Sequence, residues 1–169
     1  MDKEQLIAAL KKRLTKLQPY NLVYVVLPVE YSFLSLAEEI AAEINAEYIS
    51  VIGLLVERFG NVWDRLIERE RQGKLSAVAN VLRELIQQRV QNPPFDKGGQ
   101  GGFPIVIADV EVLSIMPETD LTSLLYLSSN MKLICVFIRG EVTGHSIRLL
   151  GTSPEYDVMQ CTVFNLTEQ

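Results

Sequence analysis

The chain is poor in the residues that most often carry catalysis or bind metals: one histidine, two cysteines and one tryptophan in 169 residues. His145 has no serine, cysteine or second histidine at catalytic spacing, so a histidine-based triad is not expected, and a place in a turn or at a strand edge is. Cys135 lies inside one apolar run and Cys161 in another strand-like segment. Without short ligand spacing they read as buried, reduced thiols rather than a zinc site or a disulfide frame. Long apolar runs are missing too. Leu22 to Leu27 and Leu133 to Ile138 fall far short of the roughly 20 residues that span a bilayer, so no membrane helix is expected. The opening MDKEQLIAALKKRL lacks the apolar core and small-residue cleavage site of a secretory signal, and a cytoplasmic location is expected. An excess of positive charge is likewise absent. The net charge is −5 with a pI near 5.0, which disfavours a broad nucleic-acid surface. The local patch of Lys11, Lys12, Arg13 and Lys16 reads as a solvated helix face.

What is present is apolar material in quantity: 48% hydrophobic residues, enough for one domain over residues 1–169 with a substantial core. Leu6, Ile7, Leu10, Leu14 and Leu17 recur at helical spacing and predict an amphipathic helix over 3–17, within an N-terminal segment 1–18 that stops near Pro19. LVYVVL is short, β-branched and apolar throughout, the mark of a central parallel strand. Ser32 or Ser35 offers a cap for the next helix, whose Leu36, Ile40 and Ile44 share a face. A strand near 47–51 leads into helical sequence over 54–90, expected as two helices broken at Gln72 and Gly73. The segment 91–103 contains NPPFDKGGQGGF, two prolines and four glycines, and reads as a turn-rich surface connection. It also resembles a translated short repeat inserted in bacterial genes. Beyond it come a strand, a short loop around Pro117, a helix over 120–129, a strand over 132–138, a turn over 140–144, and strands near 146–150 and 158–164. The alternation predicts an α/β three-layer fold on a mainly parallel sheet, with an antiparallel edge at the C-terminus.

PIVIADVEVL, from Pro104 to Leu113, is an apolar strand running into Asp109 and Glu111. That is the pattern of a Walker B strand, whose terminal Asp holds a Mg²⁺ water in P-loop NTPases of the RecA/AAA type. Strand alternation would put both carboxylates on one face, and Arg139 after the 132–138 strand would meet phosphate or pair with Asp109. The matching phosphate loop should follow Leu27. Set against G-x-x-x-x-G-K-[ST], Pro28 and Phe33 replace the glycines, Leu34 replaces the lysine, and only Ser35 fits. Pro28 donates no N–H, Phe33 is bulky, Leu34 is neutral, and Glu30 is negative where phosphates would lie. The loop has the position of a phosphate cradle without its chemistry.

The runs IVIADVEVL, DLTSLLYLSSNMKLICVF, RGEV and GTSPEYDV together resemble the second half of the BrxF-like small P-loop proteins of bacteriophage exclusion (BREX) defence systems. Asp109, Ser128, Ser129, Asn130, Gly140, Glu141, Pro154, Glu155 and Tyr156 carry the resemblance. It implies a P-loop NTPase-like fold and an association with other defence-system proteins, while the replaced loop residues set the chain apart from a nucleotide hydrolase. Three readings stand. The first is a non-catalytic interaction or regulatory subunit of a phage-defence complex, with no cofactor, no membrane contact and self-association left open. The second is an atypical Mg- and ATP-dependent enzyme built on Ser35, Asp109, Glu111 and Arg139. The third is a nucleic-acid-binding adaptor using the Lys11 to Lys16 helix. Phe59 and Trp63, one helical turn apart, read as core, or as a binding surface if exposed.

Overall fold

The run NLVYVVL is buried at all seven positions and forms β1 (Asn21–Leu27). This is the expectation for a strand covered on both faces. The computed structural model describes residues 1–28, 35–91, 102–115, 121–130, 132–149, 155–158 and 161–166. β1 pairs in parallel with β4 (Leu133–Thr143) on one side and with β7 (Thr162–Asn165) on the other. β3 (Ile105–Ala108) joins the far side of β4 and β2 (Glu47–Ser50) the far side of β3, giving the order β2-β3-β4-β1-β7. The tail of β4 leaves this layer and carries two antiparallel strands, β5 (Ser146–Leu149) and β6 (Glu155–Asp157).

Strand alternation divides the core in two. Val23, Val25 and Leu27, with Cys135 and Phe137, pack under α1 (Lys3–Thr15) and α2 (Leu36–Glu43) through Leu6, Leu10, Leu36 and Ile40. Leu22, Tyr24 and Val26, with Ile134, Val136 and Ile138, pack under α3 (Val51–Phe59), α5 (Leu75–Gln91) and α6 (Leu121–Ser128). Helices on both faces of a mainly parallel sheet make the three-layer α/β arrangement. α1 is capped by a reciprocal pair: Gln5 N–H donates to Asp2 Oδ1 at 2.7 Å and Asp2 N–H to Gln5 Oε1 at 3.2 Å. Its outer lysines reach α2, Lys3 to Glu39 and Lys11 to Glu43.

Three expectations are corrected. The helical stretch before the glycine-rich segment is three helices, with α4 (Val62–Arg71) between α3 and α5. The extra break is at Gly60, whose φ of 67° ends α3, while Gly73 at φ 65° ends α4 where a break was expected. Gly140 to Thr143 is strand, and the reversal lies at Gly144 and His145. The last strand, β7, is parallel to β1; the antiparallel pairing belongs to β5 and β6. The segment 92–101 and Pro117 lie outside the described residues, as does the side chain of Trp63.

Candidate functional site at the carboxyl edge of the sheet

Parallel strands release their carboxyl ends on one side, and a crevice opens there when neighbouring connections leave for opposite faces. Here β1 leads to α2 on one face and β3 leads to α6 on the other, with the end of β4 between them. Pro28, Asp109, Glu111 and Arg139 all fall at this edge. Leu27 is level with Arg139 in the β1–β4 register, and Asp109 follows the last residue of β3.

Asp109 and Glu111 do not alternate along a strand as expected. β3 stops at Ala108, Asp109 turns into the left-handed region at φ 62°, and a 3₁₀ helix runs from Val110 to Ile115. Aspartate tolerates this region better than most residues, because its short side chain finds local hydrogen-bond partners. Asp109 accepts from the hydroxyl of Ser50, the last residue of β2. The same Ser50 Oγ accepts from Gly53 N–H at 2.9 Å as the cap of α3. The end of β2, the start of α3 and the end of β3 thus meet on one hydroxyl. Gly53 suits the spot: a Cβ there would lie 3.2 Å from the Ser50 Cβ and 3.3 Å from its Oγ. Burial, and after it the carboxylates of Asp109 and Glu38, raise the Tyr48 phenol above its ordinary pKa.

Glu111 is only 9% exposed. Its Oε1 accepts the backbone N–H of Arg139 at 2.8 Å and the Arg139 Nε at 3.3 Å. β3 pairs with β4 only as far as Val136, so beyond that point β4 has lost its neighbour on this side. The Glu111 carboxylate supplies the acceptor that the departed strand would have given. The expected pairing of Arg139 with Asp109 is therefore replaced by Arg139 with Glu111. Ser35 stands exposed at the start of α2 and makes no capping bond. Its hydroxyl leans on Glu39, whose pKa is lowered first by the hydrogen bond and charge of Lys3 and then by Ser35. Glu30, Phe33 and Leu34 lie outside the described residues.

The basic patch on α1 does not form one cationic face. Lys11 pairs with Glu43, and the half-buried Arg13 donates to Thr162 Oγ1 at 2.8 Å and to Gln18 Oε1 at 3.4 Å. Ser129 and Asn130 sit at the opposite, amino edge of the sheet. There Ser129 Oγ accepts from Asn21 N–H at 3.1 Å and donates to the Tyr126 carbonyl at 2.7 Å. Ser50 is the residue that sequence reasoning missed. Its signal was a serine at the end of a strand and two residues before a helical Ile-Gly, which is cap chemistry.

The architecture defines an α/β protein with a mainly parallel sheet. Scanned against known families, the chain matches no family model, and no curated protein matches it. Among the described residues no cluster of three or more His, Cys, Asp or Glu could hold a metal ion, and no helix is long and apolar enough to cross a membrane.

Proposed function

We propose that the chain is a non-catalytic, P-loop-type subunit of a phage-defence complex that works by contacting a partner protein through the crevice at the carboxyl edge. One observation carries the reading: both acidic groups of the Walker B-like segment are engaged in holding the edge together, Asp109 by Ser50 and Glu111 by Arg139. A catalytic carboxylate at this place must be turned toward the phosphates that follow β1. Asp109 instead bonds to β2, on the side of β3 away from β1. The replaced loop adds to this, since Pro28 gives no N–H where the cradle should begin. The strand order, with β4 between β1 and β3 and β7 outside β1, supports a RecA- or AAA-type ancestry of the fold. The resemblance of the C-terminal two-fifths to the second half of BrxF-like proteins supports the defence setting. The left-handed Asp109 at a strand end is the one feature favouring the atypical Mg- and ATP-dependent alternative, because strain of this kind gathers at functional sites.

Calorimetric titration with Mg-ATP separates the two. The subunit reading expects no binding tighter than on the order of 10 μM, about −7 kcal/mol, and tighter binding overturns it. In parallel, Arg139→Glu is expected to keep the folded circular dichroism spectrum and to weaken co-purification with the proteins encoded beside this one. If every such partner is retained, the crevice is not the contact surface.

A further inference from the structure

Away from the sheet edges, the α3–α5 layer holds an open cavity of about 480 Å³. Its apolar lining is Leu66 and Val78, both buried, with the partly buried Phe59. Around the opening stand Arg65, Arg69 and Lys74, all exposed. The volume is that of a small-molecule site, and an apolar floor lies under a predominantly polar and charged rim.

The charges decide what it would take. Asp64 and Glu68 also line the cavity and accept from neighbouring amides, Asn61 Nδ2 at 3.2 Å and Gln72 Nε2 at 2.6 Å, so the lining sets three basic side chains against two acidic ones. Arg65, Arg69 and Lys74 make no ion pair and no side-chain hydrogen bond among the described residues. Elsewhere in this acidic chain Lys3, Lys11, Arg89 and Arg139 all face carboxylates. Arginine in the last turn of a helix often just answers the negative helix end. That accounts for Arg69, but Arg65 lies a turn earlier and Lys74 lies beyond α4. Arg65 and Arg69 are four residues apart on one helix face, about 5–6 Å between Cβ atoms, so two guanidinium groups can converge on one anion. Gly73 turns the chain back at φ 65°, closing Lys74 N–H on the Arg69 carbonyl at 2.8 Å and bringing Lys74 to the same cavity.

We propose that this cavity binds a small amphiphilic anion: an organic carboxylate, sulfonate or phosphate with an apolar body. Its charged end meets Arg65, Arg69 and Lys74 and its apolar part covers Phe59, Leu66 and Val78. The site lies apart from the carboxyl-edge crevice and does not depend on the function proposed for it.

The probe is anilinonaphthalene sulfonate, an apolar ring system with one sulfonate, titrated by fluorescence against the intact chain. One saturable site is expected. The double variant Arg65→Glu with Arg69→Glu, which touches only exposed side chains, should weaken binding by roughly tenfold or more. Backbone amide shifts on addition of the probe should concentrate on α4, Lys74 and the start of α5. The proposal is overturned if binding does not saturate, if the double variant binds as the parent does, or if the shifts fall elsewhere.

Discussion

The two edges of the sheet are built from different chemistry. At the amino end of β1 the polar groups that close the edge are neutral and buried. Asn21 is fully buried, its Nδ2 donating to the Gln18 carbonyl at 2.6 Å and its Oδ1 accepting the Gln18 N–H at 2.9 Å, while Ser129 closes on its backbone. At the carboxyl edge the partners include acidic and basic side chains: the half-buried, left-handed Asp109 on Ser50, and the buried Glu111 on Arg139. Neutral networks that satisfy every group fix a fold and offer nothing to a ligand. Charged groups held at a half-open edge keep part of their field available to a partner. In the function proposed above, the same sheet uses one end for register and presents the other.

The largest expected effect breaks the quiet edge. Asn21→Leu leaves the Gln18 N–H and carbonyl without their partner and should cost about 2–3 kcal/mol in urea unfolding, with no loss of partner capture in the preparation that stays folded. If capture falls as it does for Arg139→Glu, the functional distinction between the edges is wrong.

β4 joins the two edges, and Cys135, its third residue, is fully buried. Burial pushes this thiol up to about 12 against an ordinary value of 9.0, with Arg13 opposing only in part. The folded value is the higher one, so the neutral thiol's contribution is complete below about pH 9 and is lost as pH rises from there toward 12. Each unit in that window should remove about 1.4 kcal/mol. The burial-raised Cys161 acts in the same direction, and Lys132, whose pKa burial lowers, acts against it. Urea midpoints between about pH 8 and about pH 10.5 should fall for the parent and fall less steeply for Cys135→Ala. Equal slopes would mean the thiol is reached by water.

The smallest effect sharpens the strained edge. Asp109→Ala loses the Ser50 bond and keeps an L-residue in the left-handed region, whereas Asp109→Gly loses the bond and relieves the backbone. Glycine should therefore be the more stable of the two by about 1 kcal/mol, read from thermal melts. Equal melting would mean that the backbone relaxes out of this conformation once the carboxylate is gone.

Much of this was legible in the residues. β1 follows from an unbroken β-branched run, α2 from the spacing of Leu36, Ile40 and Ile44, and the break at Gly73 from its position after a polar helix end. Gly60, a glycine followed by asparagine, is an equal break signal that the apolar periodicity on both sides masks. The site was legible only as a set of residue types. The residue types place Asp109, Glu111 and Arg139 at one edge but not their pairing, because the strand ends at Ala108 and alternation no longer applies beyond it.

By itself the sequence determined the local periods, the two-sided burial of the central strands and the absence of a phosphate-loop lysine. These depend on neighbours within a turn or a pleat. Only the tertiary structure decided that Asp109 meets Ser50 from 59 residues away and that Glu111 meets Arg139 from 28 residues away. Whether a carboxylate is open to a ligand or engaged by the fold depends on which strand lies beside it. That order is set by packing the whole sheet between its helices, which no local pattern encodes.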